Sequence, residues 1–148
     1  VTKEVNKALD SEKYDFIVVN FAIPDMVGHT AKLDVTISAC EVVDKCLGKI
    51  VGNVLAHDGV ICVTADHGNA EQMINPQTGD PDKEHTTNPV PFIVIGQDFI
   101  GQACPAGDPP EGDLYLMRPV GVLADIAPTI LKLLGVNQPP EMTGQSLI

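Results

Sequence analysis

Apolar positions along the chain fall into short unbroken runs, with one long stretch of helical spacing between the first run and the second. Residues 15–21, DFIVVNF, are a continuous apolar run of strand length that stops before Pro24. The lack of alternation predicts a central strand covered on both faces. From Thr30 to about Ala56, the residues Ala39, Val43, Cys46, Ile50 and Val54 recur at spacings of three and four, with His57, Asp58 and Gly59 as a stop signal. That is the period of an amphipathic helix. Gly48 and Gly52 each weaken such a helix by about 1 kcal/mol relative to Ala, which predicts close packing or a kink there. GVICVTADHG at 59–68 is a second buried strand running into a turn, and VPFIVIG at 90–96 is a third, after a loop over 74–91 rich in Pro, Asn, Asp, Thr and Gly. A second irregular segment, GQACPAGDPPEGD, follows at 101–113. The last element, APTILKLLG at 127–135, is a helix with Pro128 in its tolerant first turn and Gly135 just past its end. Strand, helix, strand, loop, strand, helix predicts an α/β layered fold with a mostly parallel sheet.

Composition narrows the partners. The 148 residues are 44% hydrophobic, enough for one core of domain size. A net charge of -11 and a pI near 4.5 argue against nucleic acid or an anionic membrane as the main partner, because both attract clusters of Lys and Arg. The apolar runs are far shorter than the roughly 20 residues of a membrane span, and no charged-then-apolar leader opens the sequence, so a soluble, cytoplasmic chain is expected. Cys40, Cys46, Cys62 and Cys104 show no CxxC spacing and predict free, buried thiols of a reducing compartment. The chain opens on Val1, and a polar lead-in runs straight into a core-like strand, the pattern of a piece cut from something longer. Its single arginine, Arg118, leaves little with which to grip an anionic substrate, so recognition is expected to lie elsewhere.

Candidate chemistry collects at the ends of the expected strands, where open α/β sheets bind ligands. Asp25 and His29 follow the first strand, and in a helical turn their spacing of four puts both side chains on one face. Asp66 and His67 follow the second, just before Gly68, a residue that allows a tight turn or a close backbone approach. His85 lies in the loop entering the third strand and can reach the same rim. Mixed carboxylate and imidazole donors suit Mn²⁺ or Zn²⁺ better than Ca²⁺, with Mg²⁺ where oxygens dominate. Five such residues exceed what one zinc with an open position needs and fall short of two full shells. Singly, each has an ordinary structural explanation, Asp25 as a helix cap or His29 as a surface histidine. His57, in a helix-end turn, has no partner pattern.

The strings NFAIPDMVGHT, TADHGNAE, HTTNPVPF and ADIAPTILKLLGVNQPPEMTGQSLI closely resemble the C-terminal part of the cofactor-independent (2,3-bisphosphoglycerate-independent) phosphoglycerate mutases, a family of the alkaline phosphatase superfamily. The last string is the least specific, since sulfatases and phosphodiesterases carry similar ones. The resemblance implies an α/β three-layer sandwich with a mostly parallel central sheet, alkaline-phosphatase-like and incomplete in this fragment, with residues 1–148 as the C-terminal segment of the metal-binding domain. It implies two divalent metal ions, Mn²⁺ first, with Mg²⁺ or Co²⁺ as alternatives. Residues matching Asp25, His29 and His85 hold one ion, and those matching Asp66 and His67 hold the other. An Asp and the nucleophilic Ser of an N-terminal segment complete the second site, so no catalytic nucleophile is expected in this chain. Ser11, Ser38 and Ser146 all lack a nucleophile's context.

The implied reaction interconverts 3-phosphoglycerate and 2-phosphoglycerate in glycolysis and gluconeogenesis through a phosphoserine. The small-molecule substrate is gripped by an inserted domain missing here, and the fragment alone is inactive. The parent is expected to be a monomer, whereas the fragment, with strands missing, is prone to self-association. Three departures stand out: Ile23 where the family commonly has a polar residue, Ala31 where Gly is frequent, and DPDKE before His85. The alternatives are another enzyme of the superfamily, such as a phosphopentomutase or a metal-dependent phosphodiesterase, and a non-catalytic metal-binding module.

Overall fold

The computed structural model describes residues 1–102, 107 and 116–148. They divide into two units, Val1–Gly101 and Gln102–Ile148.

The first unit is built around a long helix. Its elements are α1 (Thr2–Asp10), α2 (Ile23–Gly28), α3 (Leu33–Ala56), β1 (Ile61–Thr64) and β2 (Phe92–Ile95). The expected helix over 30–56 is α3, and Thr36, Ala39, Ile50 and Val54 form its buried stripe. The one polar member of that stripe is satisfied inside the helix, where Thr36 Oγ1 donates to the Lys32 carbonyl at 3.1 Å. Gly48 and Gly52 do not interrupt α3 and do not pack closely. The helix runs unbroken past both, and a Cβ at either would meet nothing within 4 Å. The polar lead-in contains a helix the spacing did not predict. In α1, Val5, Ala8 and Leu9 are half-buried on one face, and Asn53 Nδ2 of α3 donates to Asp10 Oδ1 at 2.9 Å.

Residues 15–21 correct the expectation of a central strand. They carry no ladder pairing among the described residues, and Phe16 and Val18 are 52% and 78% exposed. A strand is defined by a neighbour that accepts and donates its backbone bonds, and an apolar run alone does not supply one. The mostly parallel sheet is corrected as well. The only sheet among the described residues has two strands and is antiparallel, pairing Ile61 with Ile95 and Thr64 with Phe92. A parallel crossover has to carry the chain back to its starting end, usually along a helix. Here the connection folds back instead through an isolated antiparallel bridge between Gly68 and Thr86. The α/β character stands. The buried hydrophobic residues among those described are Ala39, Ile50, Val54 and Met73, while Leu33, Ile37, Val42 and Ile93 remain exposed.

The thiols of Cys40, Cys46 and Cys62 are free as expected, but none is fully buried: Cys40, off the buried stripe of α3, is exposed, and Cys46 and Cys62 are half-buried. Partial burial pushes the Cys62 thiol above its ordinary value. Cys104 and most of the irregular segment 101–113 lie outside the described residues. No helix among the described residues is long and apolar enough to cross a membrane.

In the second unit, a 3₁₀ turn (Leu123–Asp125) leads into α4 (Ile126–Leu133), with Pro128 buried in its first turn. Gly135, at φ 66°, takes the left-handed conformation that ends the helix, which glycine adopts without a Cβ penalty. The buried Asp125 carboxylate accepts the backbone N–H groups of Gln145 at 2.8 Å and Val122 at 2.9 Å. Thr129 Oγ1 donates to the Asp125 carbonyl at 2.7 Å and accepts the Leu147 N–H at 3.0 Å, so both residues tie the chain's last segment to α4.

Candidate metal centre

The antiparallel ladder decides where the candidate residues meet. β1 ends at the same edge at which β2 begins, so the segment after β1, with Asp66 and His67, lies beside the segment before β2, with His85. The Gly68–Thr86 bridge, whose Thr86 N–H donates to the Gly68 carbonyl at 2.8 Å, extends that adjacency. Pro24 stands in the first turn of α2, where its missing N–H costs nothing. The helical turn then carries Asp25 and His29 to the same side, with the His29 N–H on the Asp25 carbonyl at 3.2 Å.

Asp25, His29 and His85 converge, each offering one donor atom within 4.8 Å of the others. Asp25 Oδ1 lies 3.1 Å from His85 Nε2 and 3.4 Å from His29 Nε2, and the two imidazole Nε2 atoms are 3.2 Å apart. The tautomer of His29 follows from its other nitrogen. Nδ1 lies 2.6 Å from the Lys83 carbonyl, and because a carbonyl only accepts, Nδ1 carries a proton. In the neutral ring, Nε2 then presents a lone pair to the cluster. His85 Nε2 therefore faces two acceptors, Asp25 Oδ1 and His29 Nε2, and a single N–H there can satisfy only one of them. A divalent cation would satisfy all three atoms, so the donor set fits a borderline metal.

Asp66 and His67 stand apart from this trio as a second pair, with His67 Nε2 3.6 Å from Asp66 Oδ1. The link between the two groups is a ring stack, in which the His67 and His85 centroids are 3.7 Å apart and the planes 22° from parallel. The Asp66 side chain is 85% exposed and open to further ligation. His57, set aside on sequence, only holds the helix end through Nδ1 and the Asn53 carbonyl at 2.9 Å.

Sequence reasoning missed the residues that hold these loops. Glu71 Oε2 accepts the Asn69 N–H at 2.7 Å, while Oε1 accepts from Asn88 Nδ2 at 2.9 Å and from Thr86 Oγ1. Partial burial works to raise the Glu71 carboxyl, but the Thr86, Asn88 and backbone bonds outweigh it and hold the group below its ordinary value. Gln72 Nε2 donates to Asp82 Oδ2 at 2.9 Å, and that bond, with backbone N–H groups of Glu84 and Lys83, lowers the Asp82 carboxyl. The buried Asn69 side chain packs on Gly28, where a Cβ would come within 3.0 Å of its Oδ1, an atom buried with no hydrogen-bond partner. The only available signal was the continuation of the ADHG motif into NAE, two polar residues in a turn already carrying two candidate ligands. Two of the departures can be placed. Lys83 meets His29 through its carbonyl, which any residue would supply, and Ile23 is 51% exposed on α2.

Residues 1–138 match the family described as the Metalloenzyme superfamily. The 2,3-bisphosphoglycerate-independent phosphoglycerate mutase of Chloroflexus aurantiacus is 51% identical over 148 residues, which are 100% of this chain and 26% of that protein. The protein of the same name from Clostridium novyi is 50% identical over 147 residues, 99% of this chain and 26% of its own length. A crystal structure of Leishmania mexicana phosphoglycerate mutase at low cobalt concentration matches with a TM-score of 0.75 and 32% identity, over 97% of this chain and 27% of that one. The chain thus spans about a quarter of the length of the relatives it matches.

Proposed function

Because the chain belongs to the Metalloenzyme superfamily, we propose that it is the metal-holding part of a 2,3-bisphosphoglycerate-independent phosphoglycerate mutase, which interconverts 3-phosphoglycerate and 2-phosphoglycerate. The observation that carries this reading is the convergence of Asp25 Oδ1, His29 Nε2 and His85 Nε2 at 3.1–3.4 Å, beside the Asp66–His67 pair. On this reading Asp25, His29 and His85 hold one divalent ion, and Asp66 and His67 contribute to a second. Mn²⁺ suits the mixed donors, and so does cobalt, the metal named for the Leishmania crystals. When bound, such ions supply positive charge that stabilises phosphate oxygens and acidifies a nearby hydroxyl.

The chain's own residues orient and hold. The Lys83 carbonyl fixes the His29 tautomer, and the α2 turn sets the spacing of Asp25 from His29. With a net charge of -11 and one arginine, the chain is not itself the grip on an anionic substrate. That grip, and the serine that receives the phosphate, belong to the rest of a longer polypeptide, which also completes the three-layer sandwich around β1 and β2. The setting is cytoplasmic glycolysis, with a monomeric parent.

The test is conversion of 3-phosphoglycerate with Mn²⁺ and without bisphosphoglycerate, run on the longer polypeptide that carries this chain and on residues 1–148 alone. Turnover is expected only in the longer form. EDTA abolishes it, and His29→Ala lowers it by about 10³-fold, since the charge stabilisation at stake is worth several kcal/mol. Turnover of pentose phosphates in place of phosphoglycerates would move the chain to another enzyme of the superfamily. Full activity of residues 1–148 alone would overturn the division of labour.

A further inference from the structure

His85 has to be delivered to Asp25 and His29 by a loop with no regular structure of its own, residues 82–91, so something outside the loop must fix it. The backbone bond from Thr86 N–H to the Gly68 carbonyl at 2.8 Å and the bond from Gln72 Nε2 to Asp82 Oδ2 at 2.9 Å do part of this, and the side-chain contacts around Thr86 converge on Glu71. Glu71 sits in the turn that follows Asp66 and His67, and its carboxylate accepts three hydrogen bonds. One comes from its own turn, from Asn69 N–H at 2.7 Å, and two come from the far loop, from Thr86 Oγ1 and from Asn88 Nδ2 at 2.9 Å. Thr86 is the residue directly after His85, and its hydroxyl also accepts the Asn88 N–H at 3.3 Å, which closes the loop on itself. Gly68 leaves room for this arrangement, because a Cβ there would fall within 3.0 Å of both Thr86 Oγ1 and Glu71 Oε1. The same turn reaches the third group of candidate ligands through Asn69, packed on Gly28 beside His29.

We propose that Glu71 is a positioning residue for the metal centre: it locks the His85 loop to the Asp66–His67 turn, so that the candidate ligands from three separate segments stay in one arrangement. The inference rests on the reading of those residues as metal ligands. Groups that orient ligands in this way typically change metal affinity by about 10- to 100-fold when removed. The carboxylate acts here as an acceptor, and its geometry matters more than its charge. Gln at the same position keeps an oxygen for Thr86 and Asn88, loses the bond from Asn69 and turns its amide N–H₂ toward that N–H.

Co²⁺ serves as the probe, because the intensity and position of its visible absorption report coordination independently of turnover. In the purified protein, Glu71→Ala is expected to weaken Co²⁺ binding by about 10- to 100-fold and to change the spectrum at saturating metal. Thr86→Val, which removes a donor and leaves Glu71 in place, should weaken binding in the same direction. Glu71→Gln should stay within a few-fold of wild type. If Glu71→Ala fails to fold, Thr86→Val and Glu71→Gln carry the comparison. Wild-type affinity and spectrum in folded Glu71→Ala or Thr86→Val would overturn the proposal. Equal losses in Glu71→Ala and Glu71→Gln with none in Thr86→Val would overturn it too, by showing that the charge alone matters. His85→Ala separates the two levels of the argument. Lost binding in His85→Ala beside intact binding in Glu71→Ala refutes only the role of Glu71, whereas intact binding in His85→Ala, or no binding by wild type, removes the metal centre and this inference with it.

Discussion

His29 is held in place by its neighbours, and the strain they carry is measurable. Two residues after it, Ala31 takes φ 52°, the left-handed region in which an alanine pays a steric penalty that glycine does not. The position closes the turn between α2 and α3, with the Ala31 N–H on the Gly28 carbonyl at 2.8 Å, so the conformation is set by a hydrogen bond that the chain cannot easily give up. Ala31→Gly should therefore stabilise the first unit. The left-handed penalty of about 1–2 kcal/mol is relieved, and about 0.5–1 kcal/mol is lost to the greater freedom of an unfolded glycine, for a net gain of about 0.5–1 kcal/mol. Urea unfolding of the two proteins checks this, and equal midpoints would mean that the turn relaxes around the Cβ. The sequence flagged Ala31 as unusual through its resemblance, but only the φ value gives the departure a physical cost.

Elements here are joined by side chains that accept backbone bonds, and α4 shows this most directly. The Asp125 carboxyl is held below the ordinary aspartate value of 3.8 by the N–H of Gln145 and then that of Val122, against the opposing pull of desolvation. Because the folded value is the lower one, the unfolded chain takes up this proton first as pH falls. The contribution to stability is complete above the unfolded value and drains away as pH drops through the folded one. Protection of the Gln145 and Val122 amides from hydrogen exchange should then fall in wild type over the window below the ordinary aspartate value, after correction for intrinsic rates. In Asp125→Asn it should be lower throughout and flat over that window. A flat wild-type profile would show that the acceptor is not the carboxylate. The helix itself was legible from Pro128 and Gly135, whereas the knot was not, because Asp125 and Gln145 are 20 residues apart and nothing local pairs them.

For the molecule as a whole, the main feature is apolar surface without a cover. Phe16, Val18, Leu33, Ile37 and Ile93 are all exposed, in a unit whose sheet has two strands with unpaired outer edges among the described residues. Two-stranded ladders are marginal in water, and exposed apolar edges attract other chains. Residues 1–148 should accordingly self-associate at micromolar concentration, and Val18→Lys, at a position 78% exposed, should shift them toward monomer in sedimentation velocity. Monomeric wild type at that concentration would show that these side chains find cover within the chain itself.

The sequence by itself determined what is periodic or local. α3 could be read from a stripe of three- and four-residue spacings, α4 from its proline and glycine, and the pairing of Asp25 with His29 from a spacing of four within a helical turn. It also placed Asp66, His67 and His85 near strand ends from the apolar runs of β1 and β2, although it expected those ends to share an edge through a parallel sheet and they share it through an antiparallel one. Only the tertiary structure decided that 15–21 has no strand partner among the described residues, and that an antiparallel fold-back brings His85 to Asp25 across 60 residues of chain. It alone assigned Glu71 three donors from two segments. The physical reason is the same throughout. Backbone periodicity is a property of neighbours along the chain, whereas strand pairing and the satisfaction of a carboxylate depend on which distant donors the fold brings within about 3 Å.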